Sequence, residues 1–117
     1  MSRGFSAKAV RDLEELSEIL SQLAASGHDR LTVKQALFFA TVAHAHAMGH
    51  SITLTDVMTK FSGTDSLGGA IRKSYGVFLP VRDGLGWIVQ EENPEDRRIK
   101  FLKLTDKGLH VVKALFD

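Results

Sequence analysis

The sequence predicts a mainly helical domain that carries one small β-hairpin, an α+β fold class. Apolar residues recur at helical spacing in the first half of the chain, and apolar and polar residues alternate on both sides of an Asn93-Pro94 turn. Thr105 then follows as a cap for a last helix. The 117 residues suit a single domain, residues 1–117, and the 44% apolar and 25% charged fractions are ordinary for a globular protein.

The first predicted element is a helix over residues 6–27. Its apolar side chains recur at steps of three and four residues and form one stripe: Val10, Leu13, Leu16, Leu20 and Leu23. Such a stripe either packs on the helix's own domain or pairs with a second subunit, as in a coiled coil. We expect this stripe to contribute to both, and so to dimerisation.

A second helix is predicted to run through the middle of the domain. Thr32 and Gln35 have the spacing of a capping box, and the residues that follow are almost wholly apolar until the helix ends near Gly49. The adjacent Phe38 and Phe39 face different directions on such a helix. We therefore expect most of the aromatic residues in the core, and one of these two at a subunit interface.

A helix-turn-helix is predicted next. After a short strand at residues 51–53, the pattern of Thr53 and Asp56 predicts the start of a short helix through Phe61. A turn-rich stretch leads to a third helix over about residues 66–74. Two helices joined by a short turn form the unit with which many regulators read DNA.

An irregular end closes this helical core, which covers residues 31–85. We expect a kink or break between Tyr75 and Pro80, because proline lacks an N–H donor and its ring collides with the carbonyl four residues earlier. The glycine-rich residues 83–86 then end the helical part ahead of the hairpin.

The predicted hairpin covers residues 86–104. Arg97 and Arg98 are adjacent in it, beside its charged turn. A hairpin that directs arginines away from the core suits an anionic partner, of which nucleic acid is the commonest. Residues 105–117 form the last predicted helix, and four apolar residues are expected to face inward: Leu109, Val112, Leu115 and Phe116.

The order helix, helix, strand, helix, helix, strand, strand, helix is that of a winged helix-turn-helix. Three motifs resemble the wing of MarR-type transcriptional regulators: Gly86-Trp87-Ile88, Pro94-Glu95-Asp96-Arg97-Arg98 and Leu104-Thr105-Asp106-Lys107-Gly108. Residues 31–35 and 53–57 are similar to the family's second and third helices. The resemblance covers about residues 31–112 and indicates a compact member of this family.

The resemblance implies a dimeric DNA-binding protein. Its recognition helix would enter the major groove, and its wing would touch the minor groove or the phosphates. By analogy Arg98 and Arg97 reach DNA, and Asp96 orients an arginine through an ion pair. The family dimerises through terminal helices, and here the C-terminal one is short. Dimerisation then falls mainly on the N-terminal helix, uses a different surface, or is weak.

Seven residues are candidates for DNA contacts. Arginine and lysine can pair with guanine, and serine can donate to bases or phosphates. The predicted recognition helix offers four of the candidates: Ser66, Arg72, Lys73 and Ser74. On the wing, Arg97, Arg98 and Lys100 can neutralise phosphates or enter a narrow minor groove. The plainer alternative is a solvated surface on which the arginines pair with Glu95 and Asp96.

Histidines raise the question of a metal. His46 and His50 are four residues apart, a spacing found in zinc sites, with His44 nearby. The chain contains no cysteine, and a third ligand would have to come from a distant residue. We therefore favour hydrogen-bonded or surface histidines, and we expect neither a metal nor another cofactor.

The sequence thus predicts a cytoplasmic, sequence-specific regulator of transcription that binds double-stranded DNA, a repressor acting as a homodimer. No catalytic arrangement of side chains is evident, so an enzyme is not expected. No signal peptide or membrane-spanning run is evident either. Control by an effector, a small molecule or a metal of unknown identity, is a weaker hypothesis suggested by the resemblance and by the histidine cluster. The alternative function is a winged-helix adaptor that binds proteins without specific DNA binding.

Overall fold

A computed structural model describes residues 4–26, 31–60, 76–80 and 84–117 of the protein. In these ranges the elements are α1 (Ala7–Ser26), α2 (Val33–Ala47), β1 (Ile52–Thr53), α3 (Leu54–Lys60), β2 (Ile88–Asn93), β3 (Asp96–Leu104) and α4 (Asp106–Phe116). The chain is therefore mainly helical with a small antiparallel sheet, which confirms the α+β class. The predicted recognition helix over residues 66–74 lies outside the described residues.

Reciprocal side-chain caps set the starts of α2 and α3. The Gln35 amide donates to the Thr32 hydroxyl at 3.1 Å, and the Thr32 amide donates to Gln35 Oε1 at 2.9 Å. Thr53 and Asp56 exchange the same two bonds at 3.0 Å. Both predicted caps are confirmed. The second helix also ends where expected, since Gly49 follows it with a φ of +72°, a conformation that favours glycine.

The sheet has three antiparallel strands in the order β1-β3-β2, so β3 is central. Ile52 of β1 pairs with Leu102, and Ile88 of β2 pairs with Leu104. Side chains alternate between the two faces of a strand, and the two leucines of β3 and Ile88 are buried on one face. That face covers the core, which leaves the far end of the hairpin beyond the core.

Four aromatic side chains form the centre of the core: Phe38, Phe39, Phe78 and Trp87. Neighbouring ring centroids in this group lie 4.9–5.9 Å apart. The prediction that Phe38 or Phe39 would face a subunit interface is wrong, because both are buried. Phe78 stacks on both of these rings. It belongs to a helical turn, residues 76–78, that ends two residues before Pro80.

Helices α1 and α4 contact each other and cover the core only in part. On α4, Val111 is buried, whereas Phe116 is 64% exposed. The prediction that Phe116 faces inward is therefore wrong. The inward face follows Gly108, Val111 and Leu115, and Phe116 lies about 100° further round the helix. Neither α1 nor another helix in the described ranges has the length and apolarity needed to cross a membrane.

Candidate nucleic-acid interface

The base of the β2–β3 hairpin is held by Thr105. Its hydroxyl donates to the carbonyl of Gly86 at 2.6 Å and accepts from the amide of Gly108 at 3.0 Å. Its own amide donates to the carbonyl of Trp87 at 3.0 Å. One residue thus caps α4 and ties it to the chain that enters β2, so the hairpin leaves the core in a fixed direction.

Two glycines allow α4 and the chain that enters β2 to approach each other closely. Gly86 has a φ of +72°, which residues with a side chain rarely adopt. Gly108 is buried, and a Cβ atom at this position would collide with the carbonyl oxygen of Trp87. The motif residues at both ends of the hairpin therefore have structural roles, and Trp87 anchors the hairpin in the core.

The tip of the hairpin is a tight turn, as the Asn93-Pro94 dipeptide predicts. Asn93 Oδ1 accepts a hydrogen bond from the amide of Glu95 at 2.9 Å, which closes the turn through a side chain. Asn93 also pairs with Asp96 across the hairpin. The turn is thus held by local side-chain chemistry at the point where the hairpin reaches furthest from its base.

An irregularity in strand pairing lies directly behind the turn. Glu92 pairs with Lys100, and the next residue of β2, Asn93, pairs with Asp96. Three residues of β3 therefore have no partner on β2, and all three are exposed: Arg97, Arg98 and Ile99. Bulges of this kind redirect side chains and are frequent beside functional sites. The structure thus presents both arginines on an expanded bulge.

Asp96 holds Arg98 by two side-chain contacts and one backbone contact. Arg98 Nε lies 3.0 Å from Oδ1, Nη2 lies 3.1 Å from Oδ2, and the Arg98 amide donates to Oδ1 at 3.1 Å. The guanidinium and then the amide lower the pKa of Asp96, and the carboxylate raises the pKa of Arg98. Because the Arg98 side chain is 89% exposed, the pair orients this side chain more than it stabilises the fold.

Arg98 keeps donors free despite this pair. A guanidinium has five N–H groups, and the contacts to Asp96 use two of them, which leaves three. An arginine held by a carboxylate on one edge can therefore offer the other edge to an anion.

The hairpin as a whole has no net charge. Residues 91–103 contain four acidic and four basic side chains. Glu91 is paired with Lys103 at 2.9 Å, and Arg98 is paired with Asp96. Among the described residues no ion pair is found for Arg97 or Lys100. Positive charge without a contacting acid is therefore concentrated on these two exposed residues, although Glu92 lies opposite Lys100.

The structure brings four of the predicted site residues together at the hairpin tip: Asp96, Arg97, Arg98 and Lys100. The candidates of the predicted recognition helix are outside the described residues: Ser66, Arg72, Lys73 and Ser74. Sequence reasoning missed Ile99, which is exposed between Arg98 and Lys100. Only an indirect signal in the sequence indicates its exposure. The alternation of apolar and polar residues along the strand is interrupted where Arg97 and Arg98 are adjacent.

The histidines do not form a metal site in the part of the chain that the structure describes. In those ranges no group of three or more His, Asp or Glu side chains could hold a metal ion. Helix α2 ends at Ala47, so His50 lies beyond the helix that carries His46. Their four-residue spacing therefore does not place them on one helical face.

The chain was compared with protein-family models, with curated proteins and with solved structures, and none matches it.

Proposed function

We propose that this protein is a sequence-specific regulator of transcription that binds double-stranded DNA through a winged helix-turn-helix. It acts as a homodimeric repressor without catalytic activity. The observation that carries the proposal is the exposed bulge at the hairpin tip, which presents Arg97 and Arg98 beside Lys100 on a firmly anchored base. The element order and the sheet order β1-β3-β2 support the same reading.

In this proposal the hairpin is the wing and positions the protein on DNA. Arg98 is held in place by Asp96 and offers its free edge to a phosphate or to a narrow minor groove. Arg97 and Lys100 neutralise phosphates. Because residues 91–103 have no net charge, the wing supplies few phosphate contacts, and most of the affinity comes from the rest of the interface.

Sequence reading is assigned to the helix predicted over residues 66–74. Arg72 and Lys73 are proposed to pair with guanine, and Ser66 and Ser74 to contact bases or phosphates. A protein bound in this way at a promoter blocks polymerase by occupying its site. A change at Arg72 should therefore alter the preferred sequence, whereas a change in the wing should weaken binding to all sequences.

The test is a titration of sheared, mixed-sequence duplex DNA with the full chain between about 50 and 200 mM salt. We expect binding that weakens steeply with salt. Arg98→Ala should weaken it about tenfold and reduce the slope of log K against log salt by about 0.9, the value of one phosphate contact. Arg11→Ala removes an exposed arginine from α1 and is the matched control, for which no change is expected.

Two outcomes would overturn the proposal. Undetectable binding to duplex DNA at low salt would exclude a DNA-binding regulator and favour the adaptor function. Equal losses of DNA affinity for Arg98→Ala and Arg11→Ala would show that the net charge of the protein, and not the wing, determines binding.

A further inference from the structure

Ile99 is an exposed apolar side chain on the part of the hairpin that extends beyond the core. It is 38% exposed, and the core cluster of the described residues does not include it. Apart from Pro94 it is the only apolar residue among residues 91–100. Its neighbours in the chain are the cations Arg98 and Lys100. The phosphate contacts proposed for the wing leave this side chain without a role.

The bulge leaves Ile99 without strand partners. Lys100 pairs with Glu92, and Ile99 is the first residue beyond this pair that has no partner on β2. On its other edge β3 pairs with β1 only at Phe101 and Leu102. In the described part of the chain, Ile99 therefore has no directly opposite side chain on either neighbouring strand. A bulged strand also bends and redirects its side chains, so Ile99 is displayed at the surface of the wing.

The flanking cations suit a side chain that enters DNA. Successive residues of a strand lie about 3.3 Å apart, so Arg98 and Lys100 lie roughly 7 Å apart on the two sides of Ile99. The minor groove of DNA is about 6 Å wide. The cations can therefore contact phosphates on both sides of the groove while Ile99 is directed at the bases between them. Pro94, which is also exposed, is followed by Glu95, whose carboxylate is repelled by phosphates.

We propose that Ile99 is a wedge that the wing inserts from the minor groove between two base pairs, which unstacks one base step and kinks the DNA. Apolar wedges of this kind kink DNA by about 20–90°. Pyrimidine–purine steps such as TA unstack easily, so Ile99 favours such a step where the wing contacts DNA. This inference rests on the proposed function, and it adds a residue that determines sequence preference without a hydrogen bond to a base.

A wedge needs a support that does not yield, and the base of the hairpin provides one. The Thr105 hydroxyl bonds to the carbonyl of Gly86 and to the amide of Gly108. Trp87, at the entry to β2, is only 1% exposed. A hairpin that could tilt freely would move away from the DNA before a base step opened. The anchored base therefore allows binding energy from the rest of the interface to be used for unstacking.

The first experiment compares two duplexes of identical composition, alternating poly(dA-dT) and the homopolymer pair poly(dA)·poly(dT). Both present the same minor-groove acceptors and the same phosphate charge, but only the alternating polymer contains TA steps. A-tracts are stiff, and their narrow minor groove attracts arginine. A wedge therefore favours the alternating polymer, whereas arginine insertion alone favours the homopolymer. We expect the full chain to bind the alternating polymer about fourfold more tightly, from the difference in stacking between the weakest and an average base step.

Three variants show whether Ile99 causes this preference. Ile99→Thr keeps a β-branched side chain, which suits a strand, but removes its apolar end, so the preference should be lost. Ile99→Leu retains an apolar wedge of the same size and should keep the preference. Val33→Thr makes a comparable change at a position of α2 that is 83% exposed and is the matched control, for which no change is expected. Circular dichroism checks that all three variants are folded.

Salt dependence separates the wedge from the phosphate contacts. Ile99 carries no charge, so Ile99→Thr should leave the slope of log K against log salt unchanged. Arg97→Ala should reduce this slope by about 0.9 and retain the preference for the alternating polymer. Each variant therefore changes one measurement and leaves the other as it is.

Unstacking can be observed directly with aminopurine, a fluorescent analogue of adenine that is quenched when it is stacked. Aminopurine placed in the TA steps of an alternating duplex should brighten when the full chain binds. It should remain quenched when the same duplex is saturated with Ile99→Thr. A signal that Ile99→Thr leaves unchanged would show that another part of the protein opens the base step, and would overturn the wedge.

Failure of the wedge and failure of the proposed function are distinguishable. Equal affinity for the two polymers, or a preference that Ile99→Thr retains, would overturn the wedge while DNA binding by the wing stands. An equal loss of preference in Val33→Thr would overturn the assignment to Ile99. Absence of binding to both polymers at low salt would overturn the proposed function, and the wedge with it.

Discussion

The base and the tip of the β2–β3 hairpin differ in burial, in the closeness of their backbone contacts and in strand pairing. At the base, Gly86, Trp87, Thr105 and Gly108 meet in a partly or fully buried contact where backbone groups approach closely. At the tip, exposed charged side chains lie on a bulge without strand partners. The base therefore determines where the hairpin points, and the tip determines what it can bind.

This difference separates stability from binding within one short segment. The contacts at the base are partly or fully buried and include backbone atoms that cannot move independently, so substitutions there should reduce the free energy of unfolding. The ion pair at the tip is exposed, and exposed pairs contribute little to folding. Substitutions at the base should thus reduce the folded population, and those at the tip should reduce affinity.

The largest effect is expected at Gly108. Gly108→Ala places a Cβ atom against the carbonyl oxygen of Trp87, so α4 or the start of β2 must shift. We expect a loss of about 3 kcal/mol in the free energy of unfolding, measured by chemical denaturation. Lys107→Ala, at the exposed neighbouring position, should change stability by less than about 0.5 kcal/mol. Equal stability of the two variants would show that the base is not tightly packed.

A smaller effect is expected at Thr105. Thr105→Val keeps the shape of the side chain but removes the bonds to Gly86 and Gly108. The loss of a helix cap and of a donor to a half-buried carbonyl should cost about 1–2 kcal/mol. Thr105→Ser retains the hydroxyl and should recover most of the stability. If valine were tolerated as well as serine, the hydroxyl would not be what holds the base.

Local chemistry explains which features could be predicted from the sequence. The caps at Thr32, Thr53 and Thr105 and the turn at Asn93 follow from side chains that bond to backbone groups two or three residues away. Such bonds form wherever the short pattern occurs, so the pattern alone is sufficient. The helix starts and the hairpin turn were therefore predictable.

Features that depend on distant parts of the chain were not predictable. The bulge arises from the register of β3 against β2, and no pattern within residues 97–99 encodes that register. The burial of both Phe38 and Phe39 depends on Phe78, which is 39 residues further along the chain from the second of them. The bond from Thr105 to Gly86 likewise spans 19 residues. The candidate site was thus predictable in its residues but not in its geometry.

The smallest effect is expected from pH at the tip. Arg98 lowers the pKa of Asp96, so the pair should be complete above the ordinary aspartate value of about 3.9 and be lost as the pH falls through the lower folded value. Arg98 stays protonated throughout this range and contributes no titration of its own. In an NMR titration, the Arg98 Nε–H resonance should therefore be constant from neutral pH down to about pH 5. It should shift only below about pH 4. Asp96→Asn should abolish the shift, and a midpoint above 3.9 in the unchanged chain would show that the pair does not form in solution.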